Sequence, residues 1–312
     1  MRLTLVRHAE SESNRLGRYQ GQGDCPLSAH GRAQAAALGA RLRDAPFDLV
    51  VSSDLTRAKE TAEALGAPLE LDPAWREIHI GRWEGLSREE VDERYPDEVQ
   101  ALRSGRRDAA VGGGESWLDV QARVLEAVAL LRRRMGDEGR VLVFAHGGVL
   151  HTLVAYSMGV LETSARPLGR LLNTSMCELH WQHEPVLVRY NDADHIDGHD
   201  GLVKELLDPG RPPVFEIAAQ DDSREHASPE RRAIDTLKSA SLLEGLRELS
   251  AQYESRLVGC VDTPERIQGL ASNLLGHGSI SKVTLPARES LSHVQLAGEG
   301  EVVLDFNVGA PL

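Results

Sequence analysis

Cysteine is scarce. The 312 residues hold three, Cys25, Cys177 and Cys260, far apart and without CxxC spacing. That excludes a disulfide framework and the usual zinc-ligand patterns, and fits free thiols in a reducing compartment. Positive charge is outnumbered, with 35 Lys and Arg against 48 Asp and Glu, a net charge of −13. Such a balance argues against nucleic acid or an anionic membrane surface as the principal partner. It leaves room for a small anionic substrate, because a local arginine cluster overrides the global sign at short range. Residues 1–200 carry 24 basic and 31 acidic side chains, and residues 201–312 carry 11 and 17, so charge does not divide the chain. Long apolar runs are missing too: no window approaches 18 uninterrupted apolar residues, so no membrane span is expected. The apolar part of "MRLTLVRHAE" is too short for a signal peptide. A cytoplasmic protein is the expectation. Hydrophobic residues at 41% and charged residues at 27% are ordinary for a globular chain, and the length suits two domains or one large one.

What is present alternates. Leu3–Val6 reads as a short buried strand. Leu27–Ala45 reads as a helix with Ser28 as N-cap, Phe47–Ser53 as a strand, and Asp54–Gly66 as a helix. "PLELD" is a short strand, Glu115–Gly136 a long amphipathic helix capped by Ser116, Arg140–His146 a strand, and Gly147–Gly159 a helix. Ser175–Asp192 reads as a two-stranded hairpin. Strands alternating with helices imply an α/β fold, a three-layer αβα sandwich around a mostly parallel sheet, over residues 1–196. Residues 197–232 are rich in Asp, Gly, Pro and Ser, like a linker. Residues 233–312 then read as a smaller α+β domain. It has a helix at 233–253, a strand in "RLVGCV" and a helix in "DTPERIQGLASNLLG", with Pro264 in its first turn. Further strands are expected in "ISKVTL", "LSHVQL" and "EVVLDFNV". No internal repeat is visible.

In an open parallel sheet, ligands bind beyond the carboxyl ends of the strands. The first strand ends in Arg7-His8. The second feeds a helix whose first turn carries Arg57. A later one ends in His146-Gly147-Gly148 and opens a helix. Taken singly, each has an ordinary explanation: a structural pair, a solvated arginine, a loop. Together they deliver two arginines and two histidines to one sheet edge, beside helix N-termini that add N–H donors. Such a place favours a dianion with several oxygens, and phosphate is the obvious one, because a guanidinium fork matches its oxygens and stays charged.

The same residues resemble a known family. "RHAESESN" is similar to the Arg-His-Gly-type signature of the histidine phosphatase (phosphoglycerate mutase-like) superfamily. "LSAHGRAQA" resembles its following helix, "SSDLTRAKETA" its second arginine motif and "REIHIGRWEGLS" its acidic loop. "GGGESWLDVQARV" and "VFAHGGVLHTLVA" complete the order. The likeness runs over about residues 1–192 and does not extend to residues 200–312. Ala9 stands where glycine is commonest. The long insertion of the glycolytic mutases is absent, and their "ER-H-YG" pattern is replaced by "REIHIGRWEG", which looks like the phosphatase branch.

The resemblance implies a metal-independent phosphomonoester hydrolase acting on a small phosphorylated metabolite, with no cofactor. It makes His8 the nucleophile. Arg7, Arg57, His146 and the Gly147 amide would clamp the non-bridging oxygens, and Glu77 would be the general acid. A neutral imidazole nitrogen can attack phosphorus, provided the other ring nitrogen is tied up, for which a backbone carbonyl is the expected partner. Without the family context, Glu77 would be read as a surface salt bridge to Arg76 or Arg82. Asn14 is expected on the phosphoryl group, with Arg18, Tyr19 and Gln20 lining the mouth, Trp83 and Glu84 beside them, and Trp117 in the core. His180, His183, His195 and His199 invite a metal reading, but His180 and His183 are three apart in an expected strand and would face opposite sides. Two other functions stay open: a phosphoglycerate-type mutase, and a non-catalytic phospho-ligand or protein-binding module. The latter has no need of a nucleophile and an acid together. The tail is a candidate lid, regulatory domain or dimerisation element, which leaves a homodimer open.

Overall fold

The computed structural model describes residues 1–158, 171–193 and 195–196, and the backbone of four strands at 214–219, 257–262, 291–297 and 300–308. The chain divides into two compact units, one of residues 1–166 and 171–185, the other of 167–170 and 186–312.

In the first unit, β1 (Arg2–Arg7), β2 (Leu49–Ser52), β3 (Glu70–Leu71), β4 (Arg140–Ala145) and β5 (Met176–Trp181) form a sheet in the order β3-β2-β4-β1-β5. The pairs β3/β2, β2/β4 and β4/β1 are parallel and β5 is antiparallel to β1, so the sheet is mostly parallel, as expected. Strands β1 and β4 are apolar on both faces, as central parallel strands must be when both sides are covered. One face packs Val6, Val50, Leu142, Phe144 and Met176 against Leu38 and Leu42 of α2 (Ala29–Leu42) and Ala62 of α3 (Thr56–Glu63). The alternate residues Leu3, Leu5, Val141 and Val143 are equally buried and point the other way. On that side run α6 (Trp117–Met135) and α7 (Gly147–Met158), which pack on each other, with α7 against β1 and β5. The α7 sequence "GGVLHTLVAYSM" is apolar nearly all round, as suits a helix that buries Val149, Leu150, Leu153 and Val154.

Several boundaries come out shorter than the sequence pattern predicts. Helix α3 starts at Thr56 rather than Asp54, because residues 53–55 are the turn leaving the strand and Leu55 at the N-cap has no side chain to close it. Ser28 and Ser116 do cap α2 and α6, the latter in a capping box with Asp119. Between β3 and α6 lie elements the pattern did not mark: α1 aside, these are two single-turn 3-10 helices at Pro73–Trp75 and Gly81–Trp83, then α4 (Arg88–Arg94) and α5 (Pro96–Arg103). Helix α1 itself is the single turn Glu12–Arg15, closed by a Ser11/Asn14 capping box.

In the second unit, β6 (Pro185–Asp192), β10 (Gly300–Val308), β9 (Leu291–Ala297), β7 (Val214–Ala219) and β8 (Leu257–Asp262) follow one another across a sheet. Strands β7 and β8 are parallel, and β9 is antiparallel to β7 and β10. "RLVGCV", "LSHVQL" and "EVVLDFNV" fall on β8, β9 and β10, while β7 lies inside the stretch that reads as a linker. Asp262, where the second helix of this tail is expected to begin, ends β8, while the rest of that helix to 276, the helix at 233–253 and the expected strand "ISKVTL" lie outside the described residues.

Candidate active site

The carboxyl ends of β1, β2 and β4 bring His8, Ser53 and His146 together. All three are buried, His8 at 3% and His146 at 0% exposure. The two imidazoles lie 5.2 Å apart between ring centroids, tilted by 56°. Nδ1 of His8 is 2.7 Å from the Ala9 carbonyl oxygen. A carbonyl only accepts, so Nδ1 carries the proton and Nε2 is left with its lone pair. His146 Nε2 is 2.9 Å from Ser53 Oγ. Ser53 Oγ accepts from the Leu55 amide and can donate its hydroxyl proton to Nε2, the arrangement in which His146 carries its proton on Nδ1. That nitrogen is buried without a hydrogen-bond partner.

Arginines surround this pair. Arg57, only 1% exposed, donates from Nη2 to Gly21 O at 2.7 Å and from Nη1 to Gly23 O at 3.0 Å, while its buried Nε has no partner. Arg7 donates to the Leu171 carbonyl, and its side chain lies against Gly147, where a Cβ would stand 3.6 Å from Arg7 Nε. Burial first, then the charges of Arg57 and Arg7, push the His8 pKa well below its ordinary value. His146 is pushed down in the same way, by burial and then by Arg57, His8, Arg7 and Arg123. Buried and donor-rich, such a place is an electrostatic well for an anion, reinforced by the N-terminus of α7 at Gly147.

Glu77 stands at the same place. Its Oε2 accepts from the Gly148 amide at 3.0 Å and its Oε1 from Ile78 N at 2.9 Å. Burial lowers the Arg57 pKa, and Glu77 is the first of the charges that oppose this. The salt-bridge alternatives are gone: Arg76 pairs with Asp54 at 2.7 Å and Arg82 pairs with Glu98. Gly148 is a close-approach glycine, since a Cβ there would lie 2.3 Å from Glu77 Oε1 and 3.0 Å from the Trp117 ring. Trp117 is thus half-buried over Gly148, not in the core as its sequence context suggests.

The mouth residues divide. Asn14 Oδ1 accepts from Ser11 N at 3.3 Å and from Asn173 Nδ2 at 3.4 Å. Gln20 Oε1 accepts from Ser11 Oγ at 2.8 Å. Arg18 is exposed and donates to Gly85 O at 2.6 Å, and the Tyr19 ring lies 5.9 Å from that of Trp83. Trp83 is buried at 4% exposure rather than lining the mouth. Glu84 turns its carboxylate onto the amides of Gln22 at 2.9 Å and Gly23 at 3.1 Å, so it supports the loop that cradles Arg57.

Four supporting residues escape sequence reasoning. Ser53 orients His146. Thr61 Oγ1 accepts from Ala9 N at 3.0 Å and donates to Arg57 O at 2.6 Å, tying the turn after β1 to α3. Asn173 donates to the His8 carbonyl at 2.8 Å. Thr174 donates to Arg7 O at 3.0 Å from a left-handed backbone with φ 61°, strained for a β-branched residue. The only available signals were the doubled serine before Asp54 and the polar run "NTS" ahead of β5. Among the described residues no group of three His, Cys, Asp or Glu side chains could hold a metal. His180 is engaged with Glu178 at 2.7 Å, and His199 lies outside the described residues. No helix among the described residues is long and apolar enough to cross a membrane.

Known proteins are similar to this chain over its first unit. A glucosyl-3-phosphoglycerate phosphatase from Mycolicibacterium vanbaalenii is 39% identical over 188 residues, 57% of this chain and 83% of its own length. A metal-independent phosphoserine phosphatase from Arabidopsis thaliana is 33% identical over 217 residues, 65% of this chain and 89% of its own. The solved structure of a mycobacterial glucosyl-3-phosphoglycerate phosphatase complexed with VO3 is 35% identical and superposes with a TM-score of 0.56, covering 61% of this chain and 98% of that one. The family model for the histidine phosphatase superfamily, branch 1, matches residues 3–193. With that match over more than half its length, the chain belongs to the histidine phosphatase superfamily.

Proposed function

We propose that this chain, a phosphatase of the superfamily, hydrolyses phosphomonoesters of small metabolites by way of a phosphohistidine on His8. One observation carries the reading: the Nδ1 proton of His8 is committed to the Ala9 carbonyl, so a neutral Nε2 lone pair is presented beside two arginines and a second imidazole. Nε2 attacks phosphorus, the P–O bond to the leaving group breaks, and Glu77 delivers its proton to the departing alkoxide. Glu77, now a carboxylate, takes a proton from water as that water attacks the phosphohistidine, which frees His8 and releases inorganic phosphate. Arg7, Arg57, the Nδ1–H of His146 and the Gly147 amide hold the three non-bridging oxygens. Asn14 adds its amide NH2, because its carbonyl oxygen is already used. A dianion there raises the His146 pKa, so the bound form is a doubly protonated imidazolium. Two fixed guanidinium groups and an imidazole that charges on binding do the charge neutralisation that a metal ion does elsewhere.

Glucosyl-3-phosphoglycerate and phosphoserine, the substrates in the relatives' names, are both phosphomonoesters of small polar metabolites, and they set the class rather than the identity. The test is phosphate release from a panel of such esters in the presence of a chelator, for wild type and His8→Ala. Activity is expected to survive chelation and to vanish in His8→Ala. A trapped phosphoenzyme should be labile in acid and stable in base, as a phosphoramidate is. Loss of activity on chelation, a base-labile intermediate, or transfer of the phosphoryl group to a second hydroxyl in place of phosphate release would each overturn the reading.

A further inference from the structure

The loop bearing Glu77 is held by two residues that the mechanism does not use. Arg123, in the second turn of α6, donates from Nε and Nη2 to the two carboxylate oxygens of Glu115, both at 3.0 Å. Its Nη1 donates to the carbonyls of Ala74 at 2.8 Å and Arg76 at 2.9 Å. Glu115 Oε2 accepts in addition from His79 N at 2.8 Å, and the Glu115 amide donates to His79 O at 2.8 Å. The backbone is therefore gripped three residues before Glu77, one before it and two after it. Side chains of the pair are only 22% and 23% exposed. Half-buried ion pairs add little net stability, because desolvation offsets the attraction. What this pair supplies is geometry: one planar fork satisfied on both edges, which a lysine cannot reproduce.

We propose that the Glu115–Arg123 pair is the positioning device for Glu77, holding its carboxyl where the leaving oxygen departs. This rests on the proton-donor reading of Glu77 given above. A displacement of about 1 Å can cost on the order of 10²-fold in rate. Phosphoryl capture by His8 needs no help from Glu77 when the leaving group is already a weak base. The second step acts on the same phosphohistidine for either ester, so damage to the pair must show as a leaving-group contrast in the single-turnover rate of leaving-group release, and not in substrate binding.

The experiment compares Glu77→Gln, Arg123→Lys and Glu115→Gln on an alkyl phosphomonoester and on p-nitrophenyl phosphate. Glu77→Gln should slow the alkyl ester by about 10²–10³-fold, within the usual range for general acid catalysis, and the nitrophenyl ester by far less. Arg123→Lys and Glu115→Gln should lower that single-turnover rate on the alkyl ester by roughly 10–10²-fold, change it on p-nitrophenyl phosphate by less than about threefold, and leave both half-saturating concentrations in place. Arg123→Lys added to Glu77→Gln should cost almost nothing more. Equal slowing of leaving-group release from both esters, a rise in the half-saturating concentration alone, or full additivity with Glu77→Gln would overturn the proposal. Absence of any contrast in Glu77→Gln itself would instead bring down the proton-donor reading. Glu115→Gln is nearly isosteric and keeps the test open if the arginine variant folds poorly.

Discussion

An imidazole that attacks phosphorus works only while one ring nitrogen holds a lone pair. Burial beside two guanidinium groups secures that for His8, and the same surroundings hold His146 neutral until an anion arrives. Both groups titrate below their ordinary value in the folded chain and near about 6.5 in the unfolded one. Below that pH the unfolded chain binds more protons than the folded one, so stability falls as the pH falls. It is unaffected above about pH 7, and the loss continues downward until the folded pKa is reached. Each group contributes a slope of up to about 1.4 kcal/mol per pH unit. All four tryptophans, Trp75, Trp83, Trp117 and Trp181, lie in the first unit, so their fluorescence isolates its unfolding. The urea midpoint should hold steady from pH 8 to 7 and drop below 6.5. His146→Asn should remove about half of that slope, and saturating inorganic phosphate should flatten it by charging His146 with a partner in place. A midpoint equally pH-dependent in wild type and variant would contradict the burial argument.

Elements deliver these residues through backbone contacts as much as through side chains. Helix α2 shows how. Gly31 sits in its first turn, where glycine is intrinsically costly, yet a Cβ there would stand 1.9 Å from the Glu10 carbonyl oxygen. Ser28 bonds the same residue twice, from N to Glu10 O at 2.9 Å and from Oγ to Glu10 Oε1 at 2.6 Å. The helix start is thus pressed against the loop two residues past the nucleophile. Gly31→Ala should shift that loop, with a loss of about 2–3 kcal/mol of stability, in the range for overpacking, and a fall in kcat/KM. Gln34→Ala, further along α2, removes one bond to Glu10 N at 3.0 Å and should do much less. Thermal unfolding followed with the kinetics of both variants checks this, and a harmless Gly31→Ala would show the loop to be free of the helix. The strands and long helices of the first unit, and the meeting of Arg7, His8, Arg57 and His146 at one sheet edge, were legible in the sequence, because apolar periodicity and a charged residue at a strand end are local signals, whereas Glu77 was readable only through the family resemblance. The supports were not. Glu84, Asn173, Glu115 and Arg123 act on backbone amides and carbonyls from distant segments, and such partners leave no spacing to read. Helices α4 and α5 went unmarked because they bury little: Val91 in one and Val99 in the other.

At the scale of the whole molecule the site opposes its surroundings. The chain carries −13, with acid in excess on both sides of residue 200, while the pocket concentrates Arg7, Arg57 and an imidazole ready to charge. Arg57 and His146 are buried and Arg7 half-buried, so their attraction acts at short range, whereas an approaching dianion feels the outer charge from a Debye length away, about 10 Å at 0.1 M salt. Enzymes that steer anionic substrates by a positive surface slow as salt is added. Here the long-range field has the opposite sign, and salt screens repulsion. Between about 10 and 150 mM ionic strength, KM for p-nitrophenyl phosphate should therefore fall, by roughly twofold or less, while kcat stays level. Sodium chloride is the suitable salt, because sulfate and phosphate would enter the pocket and compete. The same titration on a variant with two partly exposed carboxylates neutralised, Glu12→Gln with Glu90→Gln, should start from a lower KM and respond less. A KM that climbs with sodium chloride from the lowest ionic strength would mean that a positive approach path governs capture and that the acidic exterior is irrelevant to it.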